Sequence, residues 1–145
     1  MKERRLNESK GVILVAVGLI ILASLASFNY LDLPFYTSHP NSPPKNLIRS
    51  FGAYLAGALV FLFGRLTSYI IPLFILFLGI RLFKQQKPDL RSPRILGALL
   101  LLLSTSSLIG MFNLRNEALG FSRGGLFGFI ISNFVTNYFG LLGGY

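Results

Sequence analysis

The residues in this chain that could do chemistry are few, and their spacing is poor for it. One histidine, His39, stands alone and there are no cysteines, so no metal cluster, thiolate or disulfide can be built from those types. Asp32, Asp89 and Glu117 fall in stretches that read as loops and form no buried carboxylate pair for general acid–base work. Two glycine spacings approach a phosphate loop, Gly52 to Gly57-Ala58-Leu59 and Gly120 to Gly125-Leu126-Phe127. Neither has the lysine that reaches the phosphates or the Ser/Thr that holds magnesium, so these glycines are expected to serve close packing. The hydroxyl run Ser104-Thr105-Ser106-Ser107 could line a polar path. With no ionisable residue beside it, it is expected to bond the preceding turn or a neighbouring helix. No cofactor or metal site is expected, and the chain does not read as an enzyme.

What remains is apolar surface and charge. Of 145 residues, 52% are hydrophobic and 13% charged, against roughly a quarter charged in an ordinary domain; the mean hydropathy is +0.61. This is the composition of an integral membrane protein. The net charge of +9 invites a nucleic-acid reading, but the cations fall beside apolar runs. Lys2, Arg4, Arg5 and Lys10 precede the first run, and Arg81, Lys84, Lys87, Arg91 and Arg94 follow a later one. Juxtamembrane cations of this kind face anionic lipid headgroups, each worth about 1 kcal/mol near the surface. The expected partner of these residues is lipid, with no direct nucleic-acid contact.

The elements that carry these residues follow from the apolar runs. Residues 11–28, "GVILVAVGLIILASLASF", form the first candidate span. The rival is a signal peptide cleaved near Ser24-Leu25-Ala26, but the apolar run continues through that site. Residues 29–45 hold four prolines and read as a loop in water. From Leu47 a bulky helical stripe appears at Leu47, Phe51, Tyr54, Leu55, Ala58, Leu59 and Leu62, beside a stripe of small residues at Gly52, Ala53, Ala56 and Gly57. The small stripe is expected to admit a neighbouring backbone.

An unbroken helix over 47–83 would be about 55 Å long, too long for a core of roughly 30 Å, so Gly64 is expected to mark a break. Charge then decides which part crosses. If only 66–83 spans, nine of the fourteen cations share one side, leaving Lys45, Arg49, Arg65, Arg115 and Arg123 elsewhere. The positive-inside rule prefers that arrangement, with the nine-cation side cytoplasmic and 47–63 an outer interfacial helix. Residues 95–112 form the third span. A second outer helix is expected at about 125–138 and the start of a fourth span at 140–145.

The chain also repeats itself. The segment Gly52 to Gly64, "GAYLAGALVFLFG", has a counterpart in Gly128 to Gly140, "GFIISNFVTNYFG", with the same interval and the same Phe-Gly finish. Two direct repeats of span, outer helix and span follow, the second incomplete. Gly64, Gly128 and Gly140 join the small stripe as expected packing residues. The fold class is an all-α polytopic membrane bundle in a single anchor domain over 1–145.

This arrangement resembles the N-terminal four-span membrane domain of FtsK/SpoIIIE-type DNA translocases. The resemblance rests on the basic N-terminus before the first span, Asn46, "GAYLA" at Gly52 to Ala56, "LFG" at Leu62 to Gly64, "SYIIP" at Ser68 to Pro72, "GIRL" at Gly79 to Leu82, and the later "GGLFG" and "YFG". Gly57 stands where the family often has an acidic residue. A fourth span would be expected after Gly140, so the chain looks truncated. The resemblance implies a domain that anchors, at the division septum of the bacterial inner membrane, a protein whose separate hexameric ATPase motor pumps DNA during chromosome segregation. It further implies a homo-oligomer and contacts with other division proteins. The alternatives are a small transporter or channel subunit, disfavoured by the lack of any Asp, Glu, Lys or His inside a span, and a stand-alone accessory membrane protein.

Overall fold

The computed structural model describes the backbone of residues 2–86, 92–111 and 117–143, and side chains over 5–86, 95–111 and 123–140. All regular structure among the described residues is helical. Helix α1, Lys2–Ala26, runs straight through the basic N-terminus. "KERRLNESK" is rich in good helix formers, so the helix begins well before the apolar run that marked its expected start. Its stretch Arg5–Ala26, 22 residues, is by length and composition able to cross a membrane on its own.

Helix α2 spans Arg49–Phe63 and helix α3 spans Ile70–Phe83, the latter entered through a short 3-10 turn at Thr67–Tyr69. Between them Gly64 adopts φ +80°, and Arg49–Phe63 is bent by 117° against Thr67–Phe83. The apolar stretch is therefore broken, at the glycine where length alone requires a break. Pro72 lies in the first turn of α3, where a missing N–H costs nothing. Helix α4 is Ser92–Met111, with an apolar part Ile95–Met111. Helix α5, Glu117–Gly143, is interrupted at Gly125 (φ 67°, ψ −173°) and Gly140 (φ 70°, ψ 173°). Those breaks isolate residues 126–139 as a separate helical segment, close to the 125–138 expected for a second outer helix.

The chain forms two compact units, Met1–Gly57 with Tyr69–Leu90, and Ala58–Ser68 with Arg91–Tyr145. In the first, α1 packs along α3; in the second, α4 packs along α5. The α1–α3 seam is a backbone crossing. A Cβ on Gly11 would lie 2.6 Å from the Phe83 nitrogen, and one on Gly79 would lie 2.9 Å from the Val15 nitrogen.

The distribution of residue types is inverted relative to a water-soluble core. Ser24, Ser68, Ser106, Ser132, Ala53 and Ala56 are buried, while Val12, Ile13, Leu19, Phe77, Leu99, Leu100 and Phe134 are exposed. Small and hydroxylated residues at helix contacts with bulky residues outside is the pattern expected where lipid is the solvent.

Candidate functional site

In the first unit the segment before α2 is not simply a loop in water. Asp32, at the end of a 3-10 turn Tyr30–Asp32, is buried, as is Leu33. The Asp32 carboxylate accepts hydrogen bonds from the Asn41 side-chain amide at 2.8 Å, the Lys45 N–H at 3.0 Å and the Asn46 N–H at 2.9 Å. Asn46 then donates its side-chain amide to the Ser24 carbonyl at 2.8 Å, while its side-chain oxygen accepts the Ile48 N–H at 3.0 Å. The Ser27 hydroxyl accepts the Leu47 N–H at 3.0 Å. One carboxylate and one amide thus fasten the entry of α2 to the end of α1. The proline-rich composition hid this, because a polar segment whose donors converge on one buried carboxylate looks in sequence like any solvated loop.

Burial by itself would raise the Asp32 carboxyl. The hydrogen bonds from the Lys45 backbone, the Asn41 side chain and the Asn46 backbone, with the nearby Lys45 charge, outweigh it and hold the group below the ordinary carboxylate value.

Against this cap lies the small stripe of α2. Gly52, Ala53, Ala56 and Gly57 are buried, whereas Phe51, Tyr54 and Leu47 are exposed. A Cβ on Gly52 would collide with the Asn46 side-chain oxygen and lie 2.8 Å from the Ser24 hydroxyl; one on Gly57 would meet the tip of Leu33. On the exposed side, Phe35 stands edge-on to Tyr54 with ring centres 5.7 Å apart.

In the second unit two helix breaks meet. A Cβ on Gly64 would collide with the Arg123 carbonyl, and one on Gly125 with the Gly64 nitrogen. Breaking a helix frees carbonyls that need partners inside a membrane. Here the Ser106 hydroxyl of α4 reaches both the Gly124 carbonyl and, at 3.2 Å, the Phe63 carbonyl. Each of those carbonyls immediately precedes a break. Gly128 is buried on Ser106, whose backbone oxygen a Cβ would strike, and a Cβ on Gly110 would lie 3.1 Å from the Gly128 oxygen. Within the hydroxyl run, Thr105 bonds back to the Leu101 carbonyl at 2.6 Å, so the described hydroxyls at Thr105 and Ser106 are taken up by backbone.

Gly140 is placed differently from the other expected packing glycines. Among the described residues no atom lies within 4 Å of where its Cβ would be. Its φ and ψ, not its size, account for glycine there. Of the cations, Arg5, Lys10 and Lys84 are exposed, and the Arg81 guanidinium sits 5.3 Å from the Phe77 ring centre. Arg4 and Arg94 lie on α1 and α4 with side chains outside the described set, and Lys87 and Arg91 lie outside the described residues, as does Asp89. Sequence reading missed Gly11, Gly79, Gly110 and Gly124 as contact points; only a pairing of helices reveals which glycines face a neighbour. Among the described residues no group of three or more His, Asp or Glu could hold a metal ion.

Broken helices joined by small-residue seams, apolar outside and hydroxylated inside, define the class: an α-helical membrane domain. Residues 3–145 match the family described as the 4TM region of DNA translocase FtsK/SpoIIIE. The chain belongs to that family. It is 34% identical to the DNA translocase FtsK of Shewanella oneidensis over 97% of this chain and 16% of that protein. It is 39% identical to the DNA translocase FtsK of Rickettsia prowazekii over 91% of this chain and 17% of that protein. The Rickettsia typhi DNA translocase FtsK is 36% identical over 91% of this chain and 17% of its own length. The chain therefore spans about a sixth of the length of these relatives, and the matched part is the membrane region, not the motor. No solved structure matches the chain.

Proposed function

We propose that this chain is the membrane-anchoring and septum-targeting domain of a DNA translocase acting in bacterial cell division and chromosome segregation. The observation that carries the reading is the match of residues 3–145 to the membrane region of the FtsK/SpoIIIE translocases. On this reading the chain is multi-pass in the inner membrane. Its N-terminus and the 84–94 loop face the cytoplasm, because together with Arg81 they hold nine of the fourteen cations. The chain does no catalysis itself: neither near-phosphate-loop spacing carries the lysine and hydroxyl that nucleotide needs. Its seams hold helices together within each unit, its basic residues meet anionic lipid, and it assembles with further copies and with other division proteins.

Single cysteines at Asn7, Ser42, Gln86 and Asn116, labelled in whole cells with an impermeant reagent, test the topology. Labelling at Ser42 and Asn116 alone is expected; labelling at Gln86 but not Ser42 overturns the scheme. ATP turnover by the purified chain above a matched blank would contradict the anchor role.

A further inference from the structure

The α1–α3 seam does more than join two helices. Because Gly11 and Gly79 bring the backbones together, side chains on either side of the crossing cannot fill the angle between the helices. What is left is a groove of about 250 Å³ lined by Val12 and Val15 of α1 and by Ile80 and Phe83 of α3. Its walls are wholly hydrocarbon, and Val12, Ile80 and Phe83 are all more than 45% exposed.

The basic end of the groove is set by helical register. Arg5 lies seven residues before Val12, on the same face of α1, and Lys84 caps the C-terminus of α3, its N–H bonded to the Ile80 carbonyl. Both are exposed. Arg81, beside Ile80, is held against Phe77 and donates its Nε to the Gln86 side chain at 3.3 Å. The one described carboxylate at this end, Glu8, accepts a hydrogen bond from the Gln85 amide at 3.2 Å. Against it stand four described cations, Arg5, Lys10, Arg81 and Lys84. An apolar slot opening toward a cationic mouth matches a molecule with a hydrocarbon tail and an anionic head.

We propose that this groove is a site for one anionic phospholipid. A stretch of acyl chain lies on Val12, Val15, Ile80 and Phe83, and the phosphate meets Arg5 and Lys84, with Arg81 beside them. Charge complementarity selects this occupant over a second copy of the chain, whose corresponding helix ends carry the same cations and would repel. The inference rests on the chain being a membrane domain; it is independent of septum targeting and of which leaflet faces the cytoplasm.

The test is native mass spectrometry of the chain released from detergent, with phosphatidylglycerol and phosphatidylcholine of identical acyl chains added at equal concentration. One phosphatidylglycerol should be retained about tenfold in preference, since its net negative charge meets the cations whereas the choline of phosphatidylcholine offsets its phosphate and is repelled by them. The exposed-site variant Lys84→Gln, and Arg5→Gln with it, should reduce that preference toward one. Val12→Phe, which fills the groove from an exposed position, should lower retention of both lipids, whereas Lys45→Gln should leave it unchanged. Helicity and unfolding midpoint are compared for every variant, so that Lys84→Gln carries the test if Val12→Phe disturbs the fold. Equal retention of the two lipids, or a preference unmoved by Lys84→Gln, overturns the proposal. So does efficient disulfide cross-linking of Val12→Cys between chains, which would place a second copy in the groove. The topology labelling described above reads a different property, so failure of the lipid site and failure of the anchor reading are separable.

Discussion

The two helices proposed to lie at the outer surface, Arg49–Phe63 and residues 126–139, share a frame and differ in what they rest on. Each is bracketed by left-handed backbone at corresponding places. Arg49 (φ 56°) and Gly125 (φ 67°) stand three residues before Gly52 and Gly128, while Gly64 (φ 80°) and Gly140 (φ 70°) end the two segments. In the first, the small stripe meets side chains: Gly52 faces Asn46, Ile48 and Ser24, and Gly57 faces the tip of Leu33. In the second, it meets backbone: Gly128 faces the Ser106 carbonyl, and Gly110 faces the Gly128 carbonyl. A side-chain tip can swing away from an added methyl group; a backbone carbonyl in a helix cannot. At Gly57 the first copy is thus docked softly, on the tip of Leu33, and at Gly128 the second is docked rigidly, whereas Gly52 meets an Asn46 side chain fixed by its own hydrogen bonds.

The sharpest way to break the comparison is Gly125→Ala. That glycine occupies a φ/ψ region essentially closed to other residues, and its Cβ would also lie 2.7 Å from the Leu62 carbonyl oxygen. Strain and collision together should cost about 3 kcal/mol or more, read as a drop in unfolding midpoint in detergent. Gly140→Ala has the same backbone without the collision and should cost visibly less.

Next comes the direct contrast of stripes. Gly128→Ala should destabilise by about 2 kcal/mol through forced backbone displacement. Gly57→Ala should fall within about 1 kcal/mol of wild type, since Leu33 can shift and alanine gains up to about 1 kcal/mol of helix propensity. Equal losses at the two positions would remove the distinction between soft and rigid docking.

Asp32 supports only the first unit. In the folded chain its carboxyl is held below its ordinary value, so the ionised form contributes stability that is complete above the unfolded value of about 3.9 and is lost as pH falls through the lowered folded value. Asp32→Asn presents an NH2 group to converging donors and should cost about 1–2 kcal/mol at neutral pH. The variant's acid-unfolding profile should be flatter below about pH 4 than that of wild type.

The smallest effect is expected at Arg49. At the corresponding position of the first copy Arg49 carries a side chain at a positive φ of 56°. Arg49→Gly should therefore stabilise by up to about 1 kcal/mol, measured in the same detergent assay.

How much of this was legible beforehand depends on the physical scale involved. The break at Gly64 followed from length alone, because 37 residues of helix exceed a bilayer, and the burial of Gly52, Ala53, Ala56 and Gly57 follows their four-residue spacing. The repeat, visible as two Phe-Gly endings, reappears as paired positive φ angles at Gly64 and Gly140. The Asp32 cap was illegible, since its donors lie 9 to 14 residues downstream and converge only once the chain has turned. The role of Ser106 was half legible: its hydroxyl was expected to find backbone, but which carbonyls it would find depends on two breaks far apart in sequence.

The central claim is that both outer helices lie along the membrane surface without crossing it, so that the two main basic groups share one side. Spin labels placed singly along residues 50–62 and 127–138 measure it directly, through their accessibility to oxygen and to a water-soluble relaxation agent. The account predicts a helical alternation about nearly constant depth in both segments. A depth that changes steadily from one end of either segment to the other would mean that the helix crosses the bilayer, and would contradict it.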